Sequence, residues 1–463
     1  MAQKTMYKIK DIVNESKIFD ILKKTKAASE NKILLILEKA KKKKGLNLDE
    51  VGYLINTKDP KILNKIFKIA GKIKEEIYGE RLVFFAPLYV SSFCVNNCEY
   101  CGFRAKNCSP RKKLTLEEVA EQVKILEDMG HKRLLLEFGE HPFENPIDYV
   151  VNVIKTIYNT KSKKGSIRRV NVNIAATNIE NYKKLKAAGI GTYQLFQETY
   201  HQETYEKLHK GPKADYKRQL FAHNKAFEAG IDDLGLGVLF GLYDWKFEVL
   251  ALVSHAQYLD KKFGVGPHTF SVPRFQPAES VNIKLPYSVS EDELLKIIAI
   301  LRLSVPYTGM IISTRERPEI RAKAFKIGIS QTSAASRTSP GGYGKKEFLE
   351  QFHVADHRSV DEILTSVLKE NLLPSFCTAC YRQGRTGKNF MKLAKKGAIH
   401  NFCRPNAILT FKEYLEDYAP ENIKKLGLRI MNKYLKRIDN KDIKKETETR
   451  LKKIAKGERD IYF

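Results

Sequence analysis

The chain has 463 residues, of which 43% are hydrophobic and 29% are charged, values typical of a folded protein with a sizeable core. The length predicts one large domain with appendages, or two to three domains. No stretch approaches the roughly 20 continuous apolar residues that a membrane-spanning helix requires. The N-terminal residues also contain no apolar signal-peptide segment. We therefore expect a cytoplasmic protein without a membrane partner.

Lysine and arginine number 82 against 54 aspartate and glutamate residues, a formal net charge of +28 that raises the question of nucleic-acid binding. The excess lies at lysine-rich helix ends, and in most of residues 424–457 acidic residues are interleaved with the basic ones. Interleaved charge is typical of a solvated helical face. We therefore do not expect nucleic acid as a partner.

Residues 1–80 predict a helical segment, since apolar side chains recur there at intervals of three and four residues. Asn47 with Glu50, and Asp59 with Pro60, are typical helix starts. From residue 81 onward, short β-rich runs alternate with amphipathic helical patterns. The eight runs are 81–94, 132–140, 168–177, 191–199, 232–242, 267–278, 308–316 and 326–338.

Alternating strands and helices predict parallel strand pairing, and eight repeats are the number that closes a (β/α)8 barrel. We expect an α/β fold with a TIM-type barrel over residues 81–340 and a helical C-terminal domain over residues 341–463. In such barrels the active site lies at the C-terminal ends of the strands. Polar residues stand at the C-terminal end of several runs, among them Asn173 and Arg315.

Six of the seven cysteines form two triplets, and Cys108 is left alone as a structural residue. The first triplet, Cys94, Cys98 and Cys101, has the spacing C-x3-C-x2-C and follows the first predicted strand. In a chain without an export signal, such close spacing indicates metal or redox chemistry rather than disulfides. Three thiolates can hold a [4Fe–4S] cluster and leave one iron without a protein ligand. A zinc site completed by a distant histidine or cysteine is the alternative.

This triplet is similar to the motif of the radical S-adenosylmethionine (SAM) superfamily. The resemblance implies a [4Fe–4S] cluster whose open iron binds SAM and, once reduced, cleaves it to a 5′-deoxyadenosyl radical. Gly139 and Glu140 resemble the superfamily's Gly-Gly-Glu motif, which holds the SAM amine, although Phe138 replaces the first glycine. Glu198 and Arg218 are candidates for the SAM ribose and carboxylate, and Arg218 is alternatively a plain helix-surface residue.

The sixth predicted strand carries His268 and Arg274. A lone histidine is more often structural than a ligand. The planar fork of an arginine near the C-terminal end of a barrel strand suits a carboxylate, so we expect Arg274 to bind an amino-acid substrate.

The second triplet, Cys377, Cys380 and Cys403, has the spacing C-x2-C-x22-C. It is compatible with a second iron–sulfur cluster or with zinc held by three cysteines and His400. Nearby basic residues would offset the negative charge of a cluster; they are Arg382, Arg385, Lys388 and Arg404.

Longer stretches, among them FQETYH, GLYDW, HTFSVPR, SRTSPGGY and CTACYRQGRTG, resemble the HydG family, the radical SAM tyrosine lyases of [FeFe]-hydrogenase maturation. The resemblance is strongest over residues 80–420. It implies that the first triplet holds the SAM cluster, that the second holds an auxiliary cluster with an additional labile iron, and that His268 is the protein ligand of that iron.

The resemblance also implies a reaction. L-Tyrosine is cleaved at Cα–Cβ to p-cresol and dehydroglycine, and dehydroglycine is converted to carbon monoxide and cyanide on the labile iron, giving an Fe(CO)(CN) unit for the hydrogenase H-cluster. The implied partners are SAM, L-tyrosine, an electron donor such as ferredoxin or flavodoxin, and other hydrogenase maturation proteins.

Two other functions remain open from the sequence. A 2-iminoacetate synthase for thiamine thiazole biosynthesis shares the barrel motifs, but it lacks the C-terminal triplet in this form. A non-catalytic iron–sulfur scaffold would not need a SAM-binding residue such as Glu140. The sequence therefore favours a radical SAM carbon–carbon lyase.

Overall fold

The computed structural model describes residues 7–278, 281, 283, 285–344 and 350–463. The strands are, in chain order, β1 Arg81–Ser91, β2 Arg133–Phe138, β3 Lys161–Ser162, β4 Gly165–Ser166, β5 Arg169–Asn173, β6 Tyr193–Glu198, β7 Leu234–Val238, β8 Thr269–Ser271, β9 Gly309–Ile312, β10 Gln331–Ser333 and β11 Leu373–Ser375. β3 and β4 form a small antiparallel hairpin of their own. The other strands of the described residues form one parallel sheet, and it closes into an eight-stranded barrel where β10 pairs with β1. The predicted TIM-type barrel is therefore confirmed.

The helices before the barrel are α1 Ile9–Ile12, α2 Glu15–Lys24, α3 Glu30–Lys41, α4 Leu48–Asn56 and α5 Pro60–Tyr78. Those within it are α6 Leu116–Asp128, α7 Ile147–Asn159, α8 Ile179–Ala187, α9 Gln202–Leu208, α10 Tyr216–Leu220, α11 Ala222–Glu228, α12 Trp245–Phe263, α13 Glu291–Ser304 and α14 Pro318–Ile327. After it come α15 Val360–Lys369, α16 Ala379–Arg382, α17 Gly387–Lys395, α18 His400–Asp417, α19 Glu421–Leu435 and α20 Lys441–Ala455.

The N-terminal helices lie on the outside of the barrel. The predicted starts of α4 and α5 are present, with a capping box between Asn47 and Glu50 and with Asp59 accepting from the first turn of α5. α5 packs against α13 and α14, while α2 and α4 pack against α12. Residues 1–6 of the predicted helical segment lie outside the described residues. The division of the chain at residues 80 and 340 stays a prediction.

Strand residues alternate between the helix-facing core and the interior of the barrel, as the period of a strand requires. In β1, Phe84, Ala86 and Leu88 belong to the main core. Phe85 instead joins Leu135 and Ile311 in a separate apolar layer inside the barrel, which we call the bore layer.

The C-terminal segment is not purely helical, because β11 adds a strand to the barrel sheet. β11 pairs in parallel with Arg81–Val83, the beginning of β1. The strand was not predicted, because three residues that include a proline give no periodic hydrophobic pattern. A proline is nevertheless tolerated at the edge of a sheet. Its consequence is positional: Cys377, two residues beyond β11, is placed at the N-terminal end of the barrel. Among the described residues, no helix has the length and apolar character needed to span a membrane.

Candidate active site and metal centres

The first cysteine triplet lies in the loop after β1 and lines a cavity at the C-terminal ends of the strands, together with Glu140 and Glu198. A backbone hydrogen bond of 2.7 Å from Val95 N to the Glu140 carbonyl ties this loop to the end of β2. Gly139 permits the contact, since a Cβ there would lie 2.3 Å from the Phe93 carbonyl oxygen.

The thiol environment fits an iron–sulfur cluster. Burial raises the pKa of Cys98 and Cys101, so a positively charged metal centre is what would keep these sulfurs as thiolates. Within the described residues, no three cysteine, histidine or acidic side chains stand close enough together to bind a single metal ion.

Glu140 is held on both carboxylate oxygens. Arg218 Nη2 lies 2.5 Å from Oε1, and Asn96 Nδ2 donates to Oε2 at 2.7 Å. Arg218 is therefore not a plain surface residue, because its guanidinium orients the carboxylate predicted to bind the SAM amine. Direct binding of the SAM carboxylate by Arg218 stays a prediction.

Glu198 is the last residue of β6 and has a φ of +68°, in the left-handed region that non-glycine residues rarely occupy. A register shift between Phe196 and Glu198 accompanies it. Lys213 Nζ lies 2.7 Å from Glu198 Oε1. Burial acts to lower the pKa of Lys213, but Glu198 and Cys98 outweigh burial and raise it. The positive φ of Glu198 is a strained backbone conformation, and such conformations often occur where a side chain must point into a functional site.

A deeper cavity at the same end of the barrel, of about 140 Å³, is lined by Arg315, Glu137, Asn173 and the bore layer. The guanidinium carbon of Arg315 lies 3.3 Å from the centroid of the Phe352 ring. Among the described residues, the Arg315 guanidinium forms no salt bridge with a carboxylate, in contrast to Arg274. Glu137 Oε2 accepts from Asn173 Nδ2 at 2.8 Å. Burial raises the pKa of Glu137 to about 8.

Arg274 does not line this cavity, which corrects the expectation that it binds a substrate carboxylate. Its Nε donates to Glu316 at 2.9 Å, its Nη2 also pairs with Glu316, and its Nη1 donates to the Val289 carbonyl at 2.8 Å. The physical reason is its pairing: Glu316 and the Val289 carbonyl hold the guanidinium away from the cavity, which the neighbouring Pro273 and Phe275 line instead. Glu137 was not predicted as a site residue, although a carboxylate directly after three leucines and two positions before Gly139 was a usable signal.

The second triplet lines a separate cavity at the N-terminal end of the barrel, together with His268, Arg81 and Arg133. Cys377 follows β11, Cys380 lies in α16 and Cys403 lies in the first turn of α18. Burial raises the pKa of Cys377, and that of Cys380 to about 12, so the same argument for a bound metal centre applies here. His268, expected to bind the labile iron, is thus brought next to the triplet.

The zinc alternative is not favoured by this geometry. His400 lies outside the lining of the cavity, and its Nδ1 contacts the Gly397 carbonyl instead. Two cations of the barrel reach this cavity: Arg133 Nη2 donates to the Cys377 carbonyl at 2.7 Å, and Arg81 lines the cavity. Of the basic residues expected around the triplet, Arg385 lies against Cys380, whereas Arg382 pairs with Asp460 and Arg404 with Glu80.

Comparison with known proteins agrees with this site. The family model of the radical SAM superfamily matches residues 88–253, and that of the biotin and thiamin synthesis associated domain matches residues 271–373. The 2-iminoacetate synthase of Salmonella typhimurium is 30% identical over 73% of this chain and 89% of its own length. A crystal structure of HydG, a maturase of the [FeFe]-hydrogenase, is 57% identical with a TM-score of 0.96, covering 98% of this chain and 100% of its own. HydG from Carboxydothermus hydrogenoformans is 40% identical with a TM-score of 0.85, covering 96% and 100%.

A closed parallel barrel with a C-x3-C-x2-C loop after its first strand, matched by the superfamily model, defines a radical SAM enzyme. Membership of this superfamily implies a [4Fe–4S] cluster and SAM. The similarity to the two HydG structures extends over nearly the whole chain, including the segment with the second triplet. The chain belongs to the HydG family of [FeFe]-hydrogenase maturases, and the resemblance noted in the sequence is confirmed.

Proposed function

We propose that this protein is the radical SAM tyrosine lyase of [FeFe]-hydrogenase maturation. It cleaves L-tyrosine at Cα–Cβ to p-cresol and dehydroglycine, and forms carbon monoxide and cyanide on a labile iron that becomes part of the H-cluster. The observation that carries the proposal is one barrel with a three-cysteine cavity at each end. An electron donor such as ferredoxin or flavodoxin and the other maturation proteins complete the set of partners.

The SAM site is built from the first cavity. Cys94, Cys98 and Cys101 hold the cluster, which with bound SAM supplies the 5′-deoxyadenosyl radical. Glu140, oriented by Arg218, accepts from the SAM amine, and Glu198 accepts from the ribose hydroxyls. Both carboxylates already lie on the lining of this cavity, and an amine in a largely enclosed cavity needs such an acceptor.

The tyrosine site is built from the deeper cavity. Arg315 takes the role expected of Arg274, because its half-buried guanidinium lines the cavity without an ion-pair partner among the described residues. Its fork can bind the tyrosine carboxylate in bidentate fashion. Glu137, with a pKa of about 8, is able to exchange a proton with the substrate amine or phenol near neutral pH.

The second cavity would receive dehydroglycine. Cys377, Cys380 and Cys403 hold the auxiliary cluster, and His268 binds the labile iron as cargo. The two cavities share the interior of one barrel: Val83, Arg133 and Gly309 line the second cavity, and the bore layer stands two residues further along the same strands. A small product formed at one end would therefore have to pass the bore layer to reach the other.

The test is anaerobic reconstitution of the full-length protein with iron and sulfide, followed by reaction with SAM, a reductant and L-tyrosine. We expect p-cresol, cyanide and carbon monoxide. A Cys94→Ala variant should form no 5′-deoxyadenosine, whereas Cys108→Ala, which changes an exposed cysteine outside both triplets, should match the wild type.

The 30% identity to 2-iminoacetate synthase makes that activity the second candidate. It predicts p-cresol without cyanide or carbon monoxide. Zinc at one atom per chain with no iron-bound carbonyl would contradict both the auxiliary cluster and the maturase function.

A further inference from the structure

His268 is held in one ring plane by its neighbours. Its ring stacks on the Phe390 ring, 3.9 Å away between centroids at an interplanar angle of 20°, and the Tyr381 ring lies nearly parallel to it, 6.1 Å away at 14°. Its backbone is fixed on both sides, because His268 N donates to the Leu234 carbonyl and Gly309 N donates to the His268 carbonyl, each at 2.8 Å. With the ring plane fixed, two properties of His268 remain to be set: which ring nitrogen faces the cavity, and which ring nitrogen carries the proton.

Asp233 lies against one of those nitrogens. Its Oδ2 is 3.0 Å from His268 Nδ1, and Asp233 is only 1% exposed. Within the described residues, the two carboxylate oxygens of Asp233 and His268 Nδ1 make no hydrogen bond of good angular geometry, and the Thr192 side chain is the other polar group beside the carboxylate. A buried carboxylate without a donor is costly, so the adjacent imidazole N–H is the partner that this position calls for.

We infer that Asp233 is a positioning residue for His268: it holds the proton on Nδ1 and thereby presents Nε2 to the labile iron of the second cavity. The inference rests on the proposed function in one respect, the role of His268 as the ligand of that iron. Carboxylates that accept from the second nitrogen of a metal-binding histidine fix its tautomer and raise its basicity.

Because Asp233 is buried, its substitution should have a clear effect on iron binding. Asp233→Asn keeps the size of the side chain and replaces a charged acceptor with an amide. Loss of such a partner typically weakens metal affinity by about 10- to 100-fold. The neighbouring Asp232 offers a matched control, because it is half-exposed and its nearest contacts are Thr386 at 3.3 Å and Lys186 at 3.9 Å.

The experiment uses the full-length, anaerobically reconstituted protein and titrates ferrous iron into it after removal of loosely bound metal. We expect His268→Ala to lose labile-iron binding, Asp233→Asn to bind it about 10- to 100-fold more weakly, and Asp232→Asn to match the wild type. Sulfide content and p-cresol formation should stay at the wild-type level in Asp233→Asn. Wild-type affinity in Asp233→Asn, or an equal loss of sulfide and p-cresol, would overturn the inference.

A second measurement does not depend on how the variant folds. Wild-type protein is prepared with histidine carrying ¹⁵N only at Nδ1, and the nitrogen coupled directly to the labile iron is identified by electron paramagnetic resonance. Direct coupling to ¹⁴N assigns Nε2 and supports the role of Asp233, whereas direct coupling to ¹⁵N refutes it. Absence of p-cresol in the wild type would instead count against the proposed lyase activity, so the two failures are separable.

Discussion

Arg133 and Cys377 connect the barrel to the second cavity. Arg133 Nη2 donates to the Cys377 carbonyl at 2.7 Å, while Nη1 donates to Gln331 Oε1 at 3.1 Å. One buried guanidinium therefore bridges β2, β10 and the residue that begins the second triplet.

Replacing Arg133 should weaken this junction. Arg133→Lys retains the charge but cannot make both hydrogen bonds, and loss of a charge-assisted hydrogen bond costs about 1.5–3 kcal/mol. We expect less iron and sulfide in the second cavity and a lower thermal midpoint, with 5′-deoxyadenosine formation retained. Lys388→Met is the control, because Lys388 is exposed and lies outside the lining of this cavity. Unchanged metal content in Arg133→Lys would show that the bridge is dispensable.

Substitution of Arg315 should affect substrate binding, whereas substitution of Arg274 should affect stability. Arg315→Lys should lower kcat/KM for tyrosine by about 10- to 150-fold, corresponding to about 1.5–3 kcal/mol. Arg274→Lys should instead lower the thermal midpoint and leave the KM for tyrosine unchanged, because its partner Glu316 is 1% exposed and would lose part of its pairing. The opposite pattern, with KM raised only in Arg274→Lys, would restore the role expected from the sequence.

Glu137 should give the protein a pH dependence. Its pKa is raised to about 8 by burial, so the folded protein binds a proton that the unfolded chain releases above about pH 4 to 5. The stabilisation is complete below that range and is lost as the pH rises through 8. We expect Glu137→Gln to flatten the decline of the unfolding free energy between about pH 5 and 8.

Denaturant titrations at several pH values provide the measurement for Glu137. The buried Glu248 also has a pKa raised to about 8, so the wild type retains part of the decline in any Glu137 variant. Identical pH slopes in the wild type and Glu137→Gln would contradict the raised pKa.

The two cysteine triplets should be needed for different steps of the reaction. A Cys377→Ala/Cys380→Ala variant keeps the barrel site intact and should still release p-cresol, more slowly at most. It should yield no carbon monoxide bound to iron and should not support hydrogenase maturation. Infrared spectra of the reaction and a p-cresol assay on the same samples provide the measurement. Loss of p-cresol to the level of Cys94→Ala would show that the two sites are not separable.

Much of the fold was predictable because parallel barrel strands are buried on both faces and therefore appear as short apolar runs. All eight runs contain a strand, and both triplets line cavities. β11 was not predictable, because three residues that include Pro374 carry no period. Arg274 was assigned wrongly because the direction of a side chain beyond the end of β8 depends on local backbone geometry that residue types do not encode.

The contributions of Arg81 and Arg133 to the second cavity were missed for a related reason. Arg81 and Arg133 stand at the beginnings of their strands. In TIM-type barrels, residues at that end usually contribute to stability rather than to catalysis. Only the return of the chain through β11 brings the second triplet to that end of the barrel.

β1 sets the spacing of both metal centres, since Val83 pairs with Ser375 just before the second triplet and Ser91 precedes the first. The eight residue-to-residue steps from Val83 to Ser91 correspond to about 26 Å at ~3.3 Å per residue. Substitutions that far apart should add in their effects on the free energy of unfolding. If a double variant altered at both ends shows additive unfolding free energies, but a cyanide yield that differs from the product of the single-variant relative yields, the two centres are coupled by the passage of a molecule through the barrel rather than through the folded chain.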